Sequence, residues 1–433
     1  MTQHAERQWL EDFEGRPVPD TVVTGGRGGW LTIRGEQPAY EAVSGHSCLN
    51  LGHGNPELLA VASEALARLS YCSPEEASVE SLDLARRLSA LLGGDYMVKY
   101  ALSGASANEV ALSIARGNWI AAGRPEKRIC LALDRSYHGQ IGAATDLTGF
   151  PAFKGESRGD GPEVVHVASA YDSETGKARP LDALCAQLER DISAIGADRI
   201  ACLFVEPVNF AGGVIVPPEG YLKAVREICS RHDILLVVDE IITGFGRTGA
   251  WFGFQHEAIR PDIVTMAKGL TAGYFPLGAV AVDRGIYDRL NQQNYPLRKV
   301  ITMAGHPVGC SIAIKAIEIV ERDGLIGRVR ESEAVIKAAL HSLVGAHIVK
   351  AVRGKGHLWG IEFAQCGAHA AAEIAERISQ DCRKRRCIVA AADGIIRINP
   401  PLNMSAEERS QMLAALCDAV QAEEKRMTEA GVF

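Results

Sequence analysis

Five polar runs each follow an apolar, β-branched run, and between them they hold residue types that can do chemistry. SGASANE begins at Ser103, after MVKYAL, and DRSYHGQ, with Tyr137 and His138, follows RICLAL. Glu206-Pro207 follows RIACLFV, Asp239-Glu240 follows ILLVV, and Ala267-Lys268-Gly269 follows IVTM. In a parallel sheet, ligands gather outside the carboxyl ends of the strands, so these runs would meet at one edge. Ser103, Gly104, Ala105 and Ser106 are small, so backbone N–H groups can close around an anion at a helix N-terminus. Ser106 and Glu109 also fit a capping box there. A lysine can form a Schiff base, and a carboxylate can hold a pyridine nitrogen protonated so that the ring accepts electrons. An aromatic ring can stack on that pyridine, and the small-residue loop can take a phosphate. Singly, each residue has a plainer use, as a solvated lysine or a helix cap. Jointly, they suit pyridoxal phosphate.

These residues need a scaffold that brings strand ends together. From about residue 95 to 285, short β-branched runs alternate with segments of helical spacing, which predicts a parallel α/β sheet. The strand candidates are MVKYAL, RICLAL, VVHV, RIACLFVE, ILLVVD, IVTM and LGAVAV, seven in all and mostly parallel. From Cys310 one long helical stretch leads to a second region, with HIVKAVRGKGHLWGIEFA, CIVAAA and GIIRINP as short strands and two helices. This reads as a smaller α+β domain, which WLTIRGEQPAYEAVSG could join by strand pairing. The expected division is a large domain over residues 45–315 and a small domain built from 1–44 and 316–433.

The glycines of GFGRTG are spaced like those of a dinucleotide-binding loop. That motif must sit tightly between a strand and a helix. Here the strand ends at Asp239, five residues before Gly244, and AWFGFQH after the last glycine lacks a helical period. The dinucleotide reading fails on context. The 433 residues are 47% hydrophobic with a net charge of −7, which fits a folded globular chain and offers no basic face for nucleic acid. No apolar run reaches the roughly 18 residues that would span a bilayer, and the polar start is unlike a signal peptide. The 11 cysteines are scattered, with no CxxC and no His/Cys cluster of metal-ligand spacing. They read as reduced thiols of a cytoplasmic protein that needs no metal.

The run VVDEIITGFGRTGAWFGFQHEAIRPDIVTMAKGLTAGYFPLGAVAV, Val237 to Val282, resembles the central signature of the class III (ω-type, subgroup II) aminotransferases, pyridoxal-phosphate enzymes of fold type I. The similarity extends from GHSCLNLGHGNPEL to RINPPL, most of the chain. It implies that Lys268 is the Schiff-base lysine and that Asp239 partners the pyridine nitrogen. Ile241 would pack under the ring opposite Tyr137, with Glu206 at the neighbouring strand end. ITMAGHP resembles the family's T-x-S-G-H-P, which implies that Thr302 reaches the cofactor phosphate of a neighbouring subunit in a homodimer with shared sites. The cup SGASA departs from the family's S-G-S/T-E-A, so Ala105 lacks a hydroxyl contact. Arg397 in IIRINPPL matches the arginine that takes a substrate carboxylate, a task suited to a planar bidentate donor.

Departures bear on the substrate. EPVNFAGG has Ala211 where γ-aminobutyrate- and ornithine-type members carry a glutamate that gates the arginine, so this loop offers Arg397 no such gate. Ile242 replaces a glutamine of those members. Both features resemble the amine, β-alanine and taurine:pyruvate branch. In GHSCLN, Ser47 stands where that branch has a bulky ring, with His46 beside it, which implies a wider amine pocket unless Trp30 or Phe210 refills it. The expected activity is amino transfer from an amine or amino acid to a 2-oxo acid. Pyruvate is favoured because the sequence shows no second cationic anchor. The same scaffold hosts racemases, epimerases and a decarboxylase, which is the other reading.

Overall fold

A computed structural model describes residues 21–150, 163–295, 297 and 301–433, so residues 1–20 of the expected small domain lie outside the described residues. The chain is an α/β protein. Its centre is a seven-stranded sheet of β4 (Tyr96–Ala101), β5 (Ile129–Leu133), β6 (Val164–Val167), β7 (Ile200–Val205), β8 (Leu235–Asp239), β9 (Ile263–Met266) and β10 (Gly278–Asp283). They lie in the order β4-β10-β9-β8-β7-β5-β6, and only β10 runs against its neighbours. Strand β4 therefore points the same way as β5, β7, β8 and β9, and all five polar runs leave from one edge.

Strands β5, β7, β8 and β9 are buried at every position. Helices cover both faces, which is why these strands read as unbroken apolar runs and do not alternate. One face packs on the helix Gly104–Ala121, where Ala107, Val110, Ala111 and Ile114 meet Cys130, Cys202, Val237 and Val280. The other face packs on Leu84, Leu88, Leu184, Leu188, Val225 and Ile228. Each such leucine, taken fully out of water, contributes about 1.5–3 kcal/mol, and together they hold the sheet edge rigid.

Three strands precede this sheet: β1 (Val23–Arg27), β2 (Trp30–Ile33) and β3 (Ala39–Glu41). Following it come β11 (Val349–Lys355), β12 (Leu358–Phe363), β13 (Cys387–Ile388), β14 (Ala390–Ala392) and β15 (Ile395–Ile398). The strand pairing expected of the N-terminal segment is present: β3 pairs parallel with β13, with Tyr40 opposite Cys387. Tyr40 shares a core with Trp359, Ile396, Ile378 and Leu416.

Two elements differ from the sequence reading. The long helix expected from Cys310 is two helices, Pro307–Arg322 and Leu325–His341, parted at Gly324 in the left-handed conformation (φ +58°). Glycine takes that conformation without the Cβ penalty that would stop another residue. The segment HIVKAVRGKGHLWGIEFA is a hairpin of β11 and β12, turning at Gly356 (φ +59°), where a Cβ would lie 2.4 Å from the Arg247 carbonyl oxygen. Among the described residues, no helix is long and apolar enough to cross a membrane.

Candidate active site

Strand β8 delivers Asp239 to the sheet edge, 4% exposed. A buried carboxylate is costly unless hydrogen-bonded, and here three donors converge on it. The Ile241 N–H donates to Oδ1 at 3.0 Å, and Asn108 Nδ2 donates to Oδ2 at 2.8 Å. His138 Nδ1 lies 2.8 Å from the same Oδ2. Burial alone would lower the His138 pKa, but the hydrogen bond and charge of Asp239, with Glu206 behind them, raise it above its ordinary value. Facing a carboxylate, which only accepts, Nδ1 is the ring nitrogen that donates. At the end of β7, buried Glu206 accepts the Tyr137 N–H at 3.1 Å, and burial pushes its carboxyl pKa up to about 8. Tyr137 itself is half-buried, directly before His138.

Strand β9 delivers Lys268. Asp239 is in register with Thr265, so Lys268 sits three residues further along the adjacent strand and its turn. Its backbone is left-handed (φ +46°), a strained conformation for a lysine of the kind that clusters at active sites. The side chain is half-buried. Burial lowers the ammonium pKa below its ordinary value, opposed by Cys48, Asp239 and Glu206 and assisted by Arg247. A neutral amine is thereby easier to reach, as a nucleophilic lysine requires.

The small-residue loop after β4 caps the helix Gly104–Ala121. The capping box differs from the one expected: Ser106 N–H donates to Ser103 Oγ at 3.2 Å, and Ser103 N–H donates to Ser106 Oγ at 2.9 Å. Glu109 instead accepts the N–H groups of Ala143 and Ala144, across the gap to the next short helix. The Gly104 and Ala105 N–H groups take no acceptor among the described residues, which leaves two donors and the positive end of a long helix for an anion. The cup is close-packed: a Cβ on Gly104 would lie 2.7 Å from Ile241 Cδ1, and one on Gly278 would lie 2.6 Å from the Ser103 carbonyl oxygen. Ile241 thus lies against the cup. A lysine whose pKa is lowered by burial, a fixed carboxylate, a tyrosine at a nearby strand end and a helix N-terminus with free N–H groups fit pyridoxal phosphate.

Arg397 stands on β15, 7% exposed, and burial lowers its pKa to about 10, with Arg353 and Arg135 pushing the same way. Its Nη2 donates to the Ala211 carbonyl oxygen at 2.8 Å. The loop, which has no glutamate to offer Arg397, contributes a backbone acceptor instead. Phe210 is half-buried at the start of this turn, packed with Ile242 against Val208, Val214 and Leu358. Three pocket residues read from the sequence are placed otherwise. Ser47 is buried, its Oγ accepting Asn399 Nδ2 at 2.6 Å. His46 is exposed. Trp30 is engaged elsewhere, its ring edge-on to Tyr40 at 5.5 Å and its Nε1 donating to Glu408 at 3.1 Å. Thr302 is exposed, its carbonyl oxygen accepting the Tyr71 hydroxyl at 2.9 Å.

Sequence reasoning missed Asn108 and Arg135. Asn108 lies one turn into the cup helix and is fully buried, and a polar residue on that apolar face was the available signal. Arg135 stands two residues before Tyr137 and donates Nε to the Gly212 carbonyl oxygen at 3.3 Å, a cation beside Arg397 that no motif announced.

Known proteins place this arrangement. A profile of the family described as Aminotransferase class-III matches residues 13–420. The chain is 31% identical over 456 residues to a diaminobutyrate–2-oxoglutarate transaminase of Halomonas elongata, covering 100% of this chain and 97% of that one. It is 30% identical over 404 residues to a putrescine–pyruvate aminotransferase of Pseudomonas aeruginosa, covering 90% and 88%. Its fold matches the crystal structure of a thermostable (S)-enantioselective omega-transaminase from Thermomicrobium roseum with a TM-score of 0.89 at 30% identity, covering 97% of this chain and 98% of that one. A profile match over nearly the whole length shows that the chain belongs to the class-III aminotransferases.

Proposed function

We propose that this aminotransferase moves an amino group from an amine or amino-acid donor to a 2-oxo acid, with pyridoxal phosphate held at Lys268. The observation that carries the reading is the pairing of half-buried Lys268 with Asp239, a carboxylate fixed by three donors on the adjacent strand. The cofactor, when bound, supplies an electron sink conjugated to the substrate carbon. Asp239 would hold the proton on its pyridine nitrogen, and His138 and Asn108 hold Asp239. Lys268 would carry the proton to and from the substrate carbon. Tyr137 and Ile241 would hold the ring, and the Gly104 and Ala105 N–H groups would take the phosphate. Arg397 receives the carboxylate of the 2-oxo acid, which its free Nε and displaceable bond to Ala211 allow.

Pyruvate needs Arg397 alone, and an amine donor without a carboxylate does not need it. The same reading makes the enzyme a homodimer in which Thr302 serves the partner's phosphate. It also divides the chain at about the boundaries read from sequence, supported by the core that Tyr40 shares with C-terminal residues. The free thiols fit a cytoplasmic setting. Borohydride reduction followed by peptide mapping should place the modified lysine at Lys268, and a panel of amines with pyruvate should yield alanine. A label on another lysine, or no amino transfer to any 2-oxo acid, would refute the assignment.

A further inference from the structure

Arg247 is fully buried, yet its hydrogen-bond acceptors are all neutral oxygens. Its Nη1 donates to the Asn399 carbonyl oxygen at 3.0 Å and to that of Pro400, and its Nη2 donates to Asn50 Oδ1. Burial lowers its pKa to about 10, opposed by Cys48 and Tyr40, so it stays a cation at neutral pH. Among the described residues no carboxylate pairs with it, and its Nε has no hydrogen-bond partner. A buried, unpaired cation is costly, and an apolar side chain of similar size would often be the more stable choice.

Its acceptors belong to two distant parts of the chain. Asn399 directly follows β15, two residues beyond Arg397. Its Nδ2 donates to the Val43 carbonyl oxygen at 3.0 Å and to Ser47 Oγ at 2.6 Å, and its carbonyl oxygen accepts the Ser44 hydroxyl at 2.7 Å. Those bonds close on Ser44, Gly45, His46 and Ser47, all left-handed (φ +44° to +69°). Such a run is strained and persists only where its surroundings fix it. Asn50 leads the other way. Its Nδ2 donates to the Phe245 carbonyl oxygen at 3.1 Å, and a Cβ on Gly269 would lie 2.5 Å from that nitrogen. A Cβ on Gly273 would lie 3.3 Å from Cys48 Cβ. Asn50 therefore lies against the turn Lys268–Leu270, and Arg247 bonds both to it and to the strand end of Arg397.

We propose that Arg247 is a positioning residue: through Asn50 and Asn399 it fixes the span between Lys268 and Arg397, which a 2-oxo acid bridges. This role rests on the aminotransferase reading and deepens it. The carboxylate of the acid is taken at one end of this chain of bonds and its carbonyl carbon reacts at the other, so both ends must be held at once. A planar fork reaches acceptors on two segments together, which the single ammonium of a lysine does not. A carbonyl compound without a carboxylate needs only the Lys268 end.

The test compares carbonyl compounds with and without a carboxylate. Protein loaded with pyridoxamine phosphate is mixed with pyruvate or propanal, and the single turnover is followed by cofactor absorbance. Arg247→Lys should slow pyruvate by about 100-fold, the cost of a misplacement of about 1 Å, and leave propanal nearly unchanged. Asn50→Ala keeps the Arg247 bonds to Asn399 and Pro400 and should show the same selective loss to a smaller degree. It decides the matter if Arg247→Lys does not fold. A second readout needs no turnover. In cofactor-free protein, borohydride trapping at Lys268 should favour 4-oxobutanoate over butanal in wild type, and Arg247→Lys should shrink that preference. Equal effects on pyruvate and propanal, including none, would overturn the proposal. A trapping preference absent from wild type, or unchanged in the variant, would do the same. If loaded wild type reacted with no 2-oxo acid, the aminotransferase reading would fall, while the trapping preference would still decide on the span.

Discussion

Asp239 draws its donors from three places in the chain: the backbone two residues on, a helix and the loop after β5. Each bond fixes the carboxylate and offsets part of its burial. Asn108→Ala removes one donor and also frees the His138 carbonyl oxygen, which Asn108 Nδ2 reaches at 2.8 Å. Denaturant melts should show a loss of about 1–3 kcal/mol, and kcat should fall with it because Asp239 is no longer fixed. Unchanged kcat would limit Asn108 to folding. Lys268→Ala should retain cofactor through dialysis yet lose turnover by orders of magnitude, since the anion cup and Asp239 remain. Glu206 offers a pH test in the cofactor-free protein. Its folded pKa of about 8 lies above the ordinary value of about 4.3, so its contribution to stability is full below the lower value and is lost as pH rises through the higher. Glu206→Gln keeps an oxygen for the Tyr137 N–H and does not titrate. The variant's Tm advantage over wild type should therefore grow between about pH 4.5 and pH 8, and a flat difference would show that Glu206 is ionised throughout.

The helix Gly104–Ala121 shows how an element and a loop build one feature together. Gly104 is small because Ile241 Cδ1 occupies the place of its Cβ, at 2.7 Å. Gly104→Ala should push Ile241 off the cup and weaken cofactor retention, and adding Ile241→Val should recover much of the loss. If the double variant is no better than the single, the clash is not the cause. At this scale the sequence was most legible where burial is two-sided. The central strands stand out because a covered parallel strand must be apolar at every position. The strand ends of Lys268, Asp239, Glu206 and Tyr137 followed from that. The break at Gly324 was masked by apolar residues on both sides, Ile319 and Val320 before it and Leu325 and Ile326 after it, although Asp323-Gly324 is a turn signal. The bonds of Arg135, Arg353 and Arg397 to the carbonyl oxygens of Gly212, Gly213 and Ala211 were hidden because main-chain carbonyls are common to every sequence. Trp30 and Ser47 misled because residue type does not say which way a side chain faces; theirs face Glu408 and Asn399.

For the whole molecule, the open question is whether one chain completes another's site. Thr302 is exposed, in the loop before the helix Pro307–Arg322, and its backbone is held to Tyr71. The proposed homodimer places it at the partner's cofactor phosphate. That phosphate carries up to two negative charges at neutral pH, and the cup here has no hydroxyl at Ala105, so each remaining donor matters more. A hydrogen bond to a charged group is worth about 1.5–3 kcal/mol, so Thr302→Ala should weaken cofactor retention by about 10- to 150-fold. That alone does not say whose phosphate is served. Mixed dimers of Lys268→Ala and Thr302→Ala chains do. If Thr302 acts across the interface, one site collects both defects and the other is intact. At cofactor levels too low to fill a Thr302→Ala site, activity should then recover towards half that of wild type. If Thr302 acts within its own chain, each site keeps one defect and no recovery follows. The absence of recovery, with mixed dimers shown to form, would rule out the shared site.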